Sequence, residues 1–173
     1  MKLNIIFSIV LLAGLTACTS KEATDFKKKV TDKEQMVFKA LIDDHGYETE
    51  KSKSLIKRDF DGALTSIDKE EKLFDSVIKD LSALPVDQIK EGALVKTAAI
   101  GYYTTLKDLF LLDRESIQQQ KITFTKDAQK VDKANDSILQ ITKKKVELHK
   151  IADTKSQNLQ KALAAFDQAN NIK

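Results

Sequence analysis

A single proline, Pro85, stands in a chain of 173 residues that holds only five glycines, and this scarcity of breakers constrains the fold more than any other feature. Proline removes a helix donor and clashes with the preceding turn, while glycine in a helix costs about 1 kcal/mol relative to alanine. A chain nearly free of both can run in long helices. Its apolar residues recur at spacings of three and four, and none alternates over a useful length with the period of two that a half-buried strand needs. The predicted fold class is all-α, an elongated antiparallel bundle of about four long helices, because short connections between long amphipathic helices make neighbours antiparallel.

The pattern divides the chain as follows. Residues 19–29 carry one large apolar side chain, Phe26, and read as a tether. Thr31-Asp32-Lys33-Glu34 has the form of a capping box, so the first helix is expected to begin near residue 32. Val37, Phe38, Leu41, Ile42, Leu55 and Ile56 give it an apolar stripe, with Gly46 as one break and Asp59-Phe60-Asp61-Gly62-Ala63 as the favoured hairpin turn, Gly62 taking the positive φ. A second helix is predicted from about Ala63 to Leu81, ended by Leu84-Pro85. A third follows from about Val86 to Gln120, with Ile89, Ala93, Leu94 and Ile100 on its buried side. The fourth starts near Phe124 and carries one apolar face for some forty residues, through Val131, Ile141, Ala152 and Phe166. Phe74, Phe110 and Phe166 are the expected core anchors.

The N-terminus has a different character. Met1-Lys2 supplies one charge, Ile5 to Leu15 form an apolar run interrupted by Ser8 and Gly14, and the small residues Thr16 and Ala17 follow, which is the layout of a signal peptide. The run is shorter than the roughly 20 residues of a spanning helix. Leu15-Thr16-Ala17-Cys18 resembles the lipobox of bacterial lipoproteins, and the resemblance covers only this end of the chain. It implies that Leu15, Thr16 and Ala17 are read by the lipoprotein signal peptidase, and that Cys18 is the lipid attachment site and becomes the first residue of the mature protein. The implied organisation is a signal peptide over 1–17, a lipidated cysteine and flexible tether over 18–30, and a bundle domain over 31–173. An ordinary secretory signal with a chance cysteine is the competing reading. No acid follows the cysteine directly, so the resemblance implies an outer-membrane location in the cell envelope, with the periplasmic and surface faces both open.

Charge is unevenly spread. From Lys121 to Lys173 eleven lysines face six acids, whereas from Thr19 to Gln120 seventeen basic residues face twenty acids. The last helix is expected to dock on acidic partners through rim pairs, each contributing about 0–1 kcal/mol. The run Lys143-Lys144-Lys145 lacks interleaved aromatic residues and is flanked by acids, which favours a solvated face over nucleic-acid binding.

Cys18 is the sole cysteine, so neither an internal disulfide framework nor a multi-cysteine zinc site is available. His45 and His149 lack an acid three residues before them, where Ile42 and Val146 stand, so the paired Glu-x-x-His motif of di-iron bundles is missing. No phosphate loop or Gly-x-Ser-x-Gly turn occurs, and acidic pairs such as Asp43-Asp44 and Glu70-Glu71 read as solvated. No enzyme activity, cofactor, metal or nucleic-acid partner is expected. Ala98-Ala99-Ile100-Gly101-Tyr102-Tyr103 brings small residues and two tyrosines together, with a close helix contact or a contact patch at Tyr102 and Tyr103 as the two readings. Asn135, Thr142, His149 and Ser156 recur every seven residues and mark a helix flank. The expectation is a lipid-anchored, non-catalytic binding or spacer module whose partners are the membrane, through covalent lipid, and a protein that no motif names. The alternatives are a carrier of an apolar ligand and an accessory subunit of an envelope complex.

Overall fold

The structure is a computed structural model and describes residues 21–172; the signal segment, Leu15, Thr16, Ala17 and Cys18 lie outside the described residues. Five helices follow one another, α1 (Lys21–Ile42), α2 (Tyr47–Ile56), α3 (Phe60–Ser82), α4 (Gly92–Thr123) and α5 (Ala128–Asn170), with no strand among the described residues. The fold is all-α. Lys33 pairs with Asp80 at 2.5 Å and Lys51 with Glu70 at 3.8 Å, so α1 and α2 run in succession down one side of α3, antiparallel to it. Lys107–Asp75 and Lys121–Asp61, both 2.7 Å, set α4 antiparallel to α3. Lys145–Asp113 and the hydrogen bond from Asn170 to the Lys90 carbonyl at 2.9 Å do the same for α5 against α4. The bundle therefore has four legs, the first broken into α1 and α2.

The first leg begins earlier than the sequence predicts. Residues 21–30 are helical, and Ala23, Phe26 and Val30 are buried at helical spacing, with the Phe26 ring 5.4 Å from that of Phe166. Those contacts supply the burial that a free tether would lack, so residues 21–30 of the stretch expected to be flexible over 18–30 are helix instead. Thr31 is mid-helix. Its hydroxyl donates to the carbonyls of Lys27 and Lys28 instead of capping a new start.

Both candidate breaks exist, with different roles. At Gly46 the leg bends and continues; a Cβ there would stand 2.4 Å from the Leu41 carbonyl oxygen, so only glycine lets the backbone pass. The reversal into α3 comes at Lys57–Asp59, and its left-handed residue is Arg58 at φ 59°, not Gly62. Gly62 lies in the first turn of α3, where its N–H donates to Asp59 Oδ1 at 2.9 Å as part of the helix cap. Between α3 and α4, residues 83–91 form a turn with Gln88 and Glu91 at positive φ, which delays α4 by six residues relative to the expected Val86. Phe124 falls in the α4–α5 turn, not on a buried face, and is 57% exposed against the Phe60 ring; Leu94 and Ala93 likewise face outward. Asp127 then caps α5 by accepting from the Lys130 N–H.

Two apolar clusters fill the interior. The larger, built on Phe26, Phe74, Val77, Leu81, Val95, Ala99, Tyr103 and Phe166, joins α1, α3, α4 and α5 at the end where α1 starts. The smaller, Ala63, Ile67 and Ile117, lies towards the Arg58 turn. Of the three expected anchors, Phe74 and Phe166 are fully buried, while Phe110 is half-buried and stacks on Phe74 at 5.2 Å.

Candidate functional site

Between the two clusters the bundle interior turns ionic. Glu70 occupies the helical position between Ile67 and Phe74 on the inward face of α3 and is fully buried. Lys51 reaches in from α2, its ammonium hydrogen-bonded to Glu48 and to Asp113 at 2.9 Å and lying 5.0 Å above the Phe110 ring. Asp113 also accepts from Lys145 of α5. Four legs thus meet at one charged layer.

Neither oxygen of Glu70 has a hydrogen-bond partner, and the Lys51 ammonium stands 3.8 Å away. Burial pushes the Glu70 carboxyl up to about 8 against the pull of Lys51, and the nearby Glu48 and Asp113 carboxylates push the same way. Glu70 therefore keeps its proton to a higher pH than an ordinary glutamate does. Burial works against the Lys51 charge, but its bonds and charge pairs with Glu48, Glu70 and Asp113 outweigh it and hold its pKa above the ordinary lysine value. Burial likewise opposes ionisation of Asp113, and is outweighed by the hydrogen bonds from Lys145 and Lys51, which hold it below the usual carboxylate range. The sequence reading of Glu70-Glu71 as a solvated pair holds only for Glu71, which is partly exposed and accepts from Arg114 at 2.9 Å.

This layer opens to solvent through a half-open cleft of about 370 Å³ between α4 and α5. Leu106, Leu109, Phe110 and Ala152 give it an apolar floor; Glu48, Asp113, Lys145, His149 and Ser156 supply its polar groups. Tyr102 lines the same cleft, half-buried, its phenol pushed up by burial and by Glu34 and Asp153, with Ser156 opposing. Tyr103 does not belong to an exposed contact patch. It is 3% exposed in the larger core cluster, and burial raises its phenol pKa strongly. Gly101 makes no tight helix contact either, since the closest neighbour to a Cβ there would be the Lys155 side chain at 3.9 Å. Of the seven-residue series, His149 and Ser156 reach the cleft, while Asn135 and Thr142 are exposed along the flank.

The lysine run is split by the packing, with Lys145 turned inward to Asp113 and Lys143 and Lys144 in solvent. Cross-helix rim pairs concentrate between α3 and α4, where Lys107, Arg114 and Lys121 meet Asp75, Asp68, Glu71 and Asp61. Docking of a basic last helix on acidic partners is thus represented mainly by Lys145. The ion pairs of Lys130 and Lys150 are local to the start and middle of α5. Among the described residues no group of three or more His, Cys, Asp or Glu is arranged to hold a metal ion, and no helix is long and apolar enough to cross a membrane.

No protein-family model, curated protein or solved structure matches the chain. The cleft and the charged layer beneath it are legible only from this molecule's own geometry.

Proposed function

We propose that this chain is a lipid-anchored protein of a bacterial cell envelope, seated in the outer membrane by acyl chains on Cys18 and working as a non-catalytic binding or spacer module. The observation that carries the reading is Leu15-Thr16-Ala17-Cys18 at the end of a short apolar run, with a helical bundle following it. Acyl chains contribute about 0.8 kcal/mol per buried CH₂, and more than one chain makes the attachment stable, so the bundle needs no membrane-inserting surface of its own. Its long rigid legs suit a spacer, and the α4–α5 cleft with Tyr102, Lys145 and His149 is the surface on which a protein partner would be read. The apolar floor of that cleft favours, as the second reading, a carrier for a small apolar ligand; a fluorescent fatty acid titrated against the acyl-free chain separates the two, saturable binding lost in Phe110→Ala supporting the carrier.

Metabolic labelling with palmitate tests the anchor. Wild-type protein is expected to take up label and fractionate with the outer membrane, and Cys18→Ala to remain an unlabelled, uncleaved precursor. Labelled Cys18→Ala protein, or wild type that is cleaved and released without label, contradicts the reading.

A further inference from the structure

Resting on that reading of Cys18, we infer that the bundle is held end-on close to the bilayer, with the start of α1 and the α3–α4 turn facing the lipid headgroups and the Arg58 and Thr125 turns pointing away. The argument is one of chain length. A polypeptide spans at most about 3.3–3.6 Å per residue, so the three steps from Cys18 to Lys21 reach about 10 Å. A tether through residue 30 would have reached about 40 Å by the same measure and left the bundle free to tumble. The packing of α1 removes that freedom. Ala23, the third residue of α1, is already buried, as are Phe26 and Val30; Phe26 lies against Phe166, and Lys27 pairs with Asp167 at 2.7 Å, so the first turns of α1 are fixed to the last turns of α5.

Everything else at that end follows from the topology. Phe26 and Asp25 line one hollow with Leu84, Pro85 and Gln88, and the Lys90 carbonyl accepts from Asn170, so the α3–α4 turn and the end of α5 share this face with the start of α1. The opposite end is distant: α4 alone, 32 residues at 1.5 Å each, is about 48 Å long. Charge does not draw this face to lipid, because exposed Lys21, Lys28, Lys29 and Lys90 are offset by Glu22, Asp25, Asp87 and Glu91. The short connection alone imposes the proximity, so lengthening it must abolish the effect.

The test uses the acylated full-length protein in phosphatidylcholine vesicles carrying a nitroxide on the headgroup of a trace lipid, a contact-range fluorescence quencher. Acylation consumes the thiol of Cys18, leaving an introduced cysteine, Lys90→Cys or Thr125→Cys, as the attachment point for a fluorophore. Lys90→Cys is expected to be quenched several-fold more than Thr125→Cys, with little change when anionic lipid is added. A flexible insert of about 15 residues between Ser20 and Lys21, spanning about 20 Å on average, is expected to bring quenching at position 90 down towards that at 125. Palmitate on Cys18 with equal quenching at the two positions, or with quenching at 90 that survives the insert, overturns the end-on placement and leaves the anchor standing. Absence of palmitate from the wild-type protein overturns both. Helical circular dichroism of each labelled variant establishes that the bundle is intact.

Discussion

The two halves of the bundle are held together differently. On the α1 side of the charged layer, twelve buried residues from four helices, three of them phenylalanines, make one continuous apolar cluster. Near the Arg58 turn the corresponding cluster has three, and the layer between them is occupied by Lys51, Glu70 and Asp113. Apolar burial stabilises by about 25 cal/mol per Å² without regard to direction. A buried ionic layer gains less, because desolvation offsets most of the attraction, while removing one partner alone is costly. The first half is therefore expected to supply the stability. The second is expected to depend on the geometry of a few charges.

The largest expected effect is in the apolar half. Phe74→Ala and Phe166→Ala each delete a fully buried ring and should cost about 3–5 kcal/mol in urea unfolding. Phe110→Ala, half-buried at the cleft, should cost clearly less; equal losses at all three would erase the distinction between core and cleft wall.

In the ionic half, Lys51→Met removes the one cation that touches Glu48, Glu70 and Asp113. It should cost about 1–3 kcal/mol, the range for leaving buried polar groups unsatisfied. Lys51 is the group that pulls Glu70 towards ionisation, so its removal favours the neutral carboxyl and limits the loss. A neutral Lys51→Met would mean that solvent already screens the layer.

The pH dependence sharpens the contrast further. Glu70 has a folded-state pKa of about 8, above its ordinary value of 4.5, so the folded chain holds a proton that the unfolded chain has released between those limits. Stability associated with that proton is full below about pH 4.5 and declines as the pH rises through about 8, with a slope of at most about 1.4 kcal/mol per pH unit. Asp113, depressed by its two lysines, acts in the opposite sense and loses its contribution only as the pH falls below its ordinary 3.8, outside that window. Urea midpoints from pH 5 to 9 should decline for the wild type, and Glu70→Gln should flatten the decline. A flat wild-type profile would show that Glu70 titrates normally.

The smallest effect is at Gly101, where a methyl group meets only the Lys155 side chain at 3.9 Å. Gly101→Ala should stabilise by up to about 1 kcal/mol, as helix propensity alone dictates. A loss would reveal a close approach there after all.

Much of the architecture was legible because apolar spacing reports helices directly. Ile67, Phe74, Val77 and Leu81 define the buried face of α3, and the long face of α5 ends at Phe166 as expected. The start of α1 was obscured by composition: Ala23, Phe26 and Val30 sit at helical spacing, but lysines and acids between them look like a tether until α5 is present to cover them. The turns were obscured because Arg58, Gln88 and Glu91, not glycines, take the left-handed conformation, so the usual marker stands at Gly62 inside a helix cap. The ionic layer left one signal, a glutamate at the inward phase between Ile67 and Phe74. Its partner Lys51 lies on α2, a helix with almost no apolar stripe, of which it is the one buried residue. Tyr102 and Tyr103 are adjacent in sequence, but neighbouring residues on a helix face different directions, and of the two only Tyr102 reaches the cleft.

Residue-resolved amide hydrogen exchange on the chain from residue 19 to 173 tests the inequality of the two halves most directly. Amides of Val77 to Leu81 and Val95 to Tyr103 are expected to exchange only through global unfolding. Those of Ala63 to Ile67, Ile117 and Ala134 to Ile141 are expected to exchange through partial openings of lower free energy. Equal protection across the ionic layer, or slower exchange on the side of Ile67 and Ile117, would contradict the account.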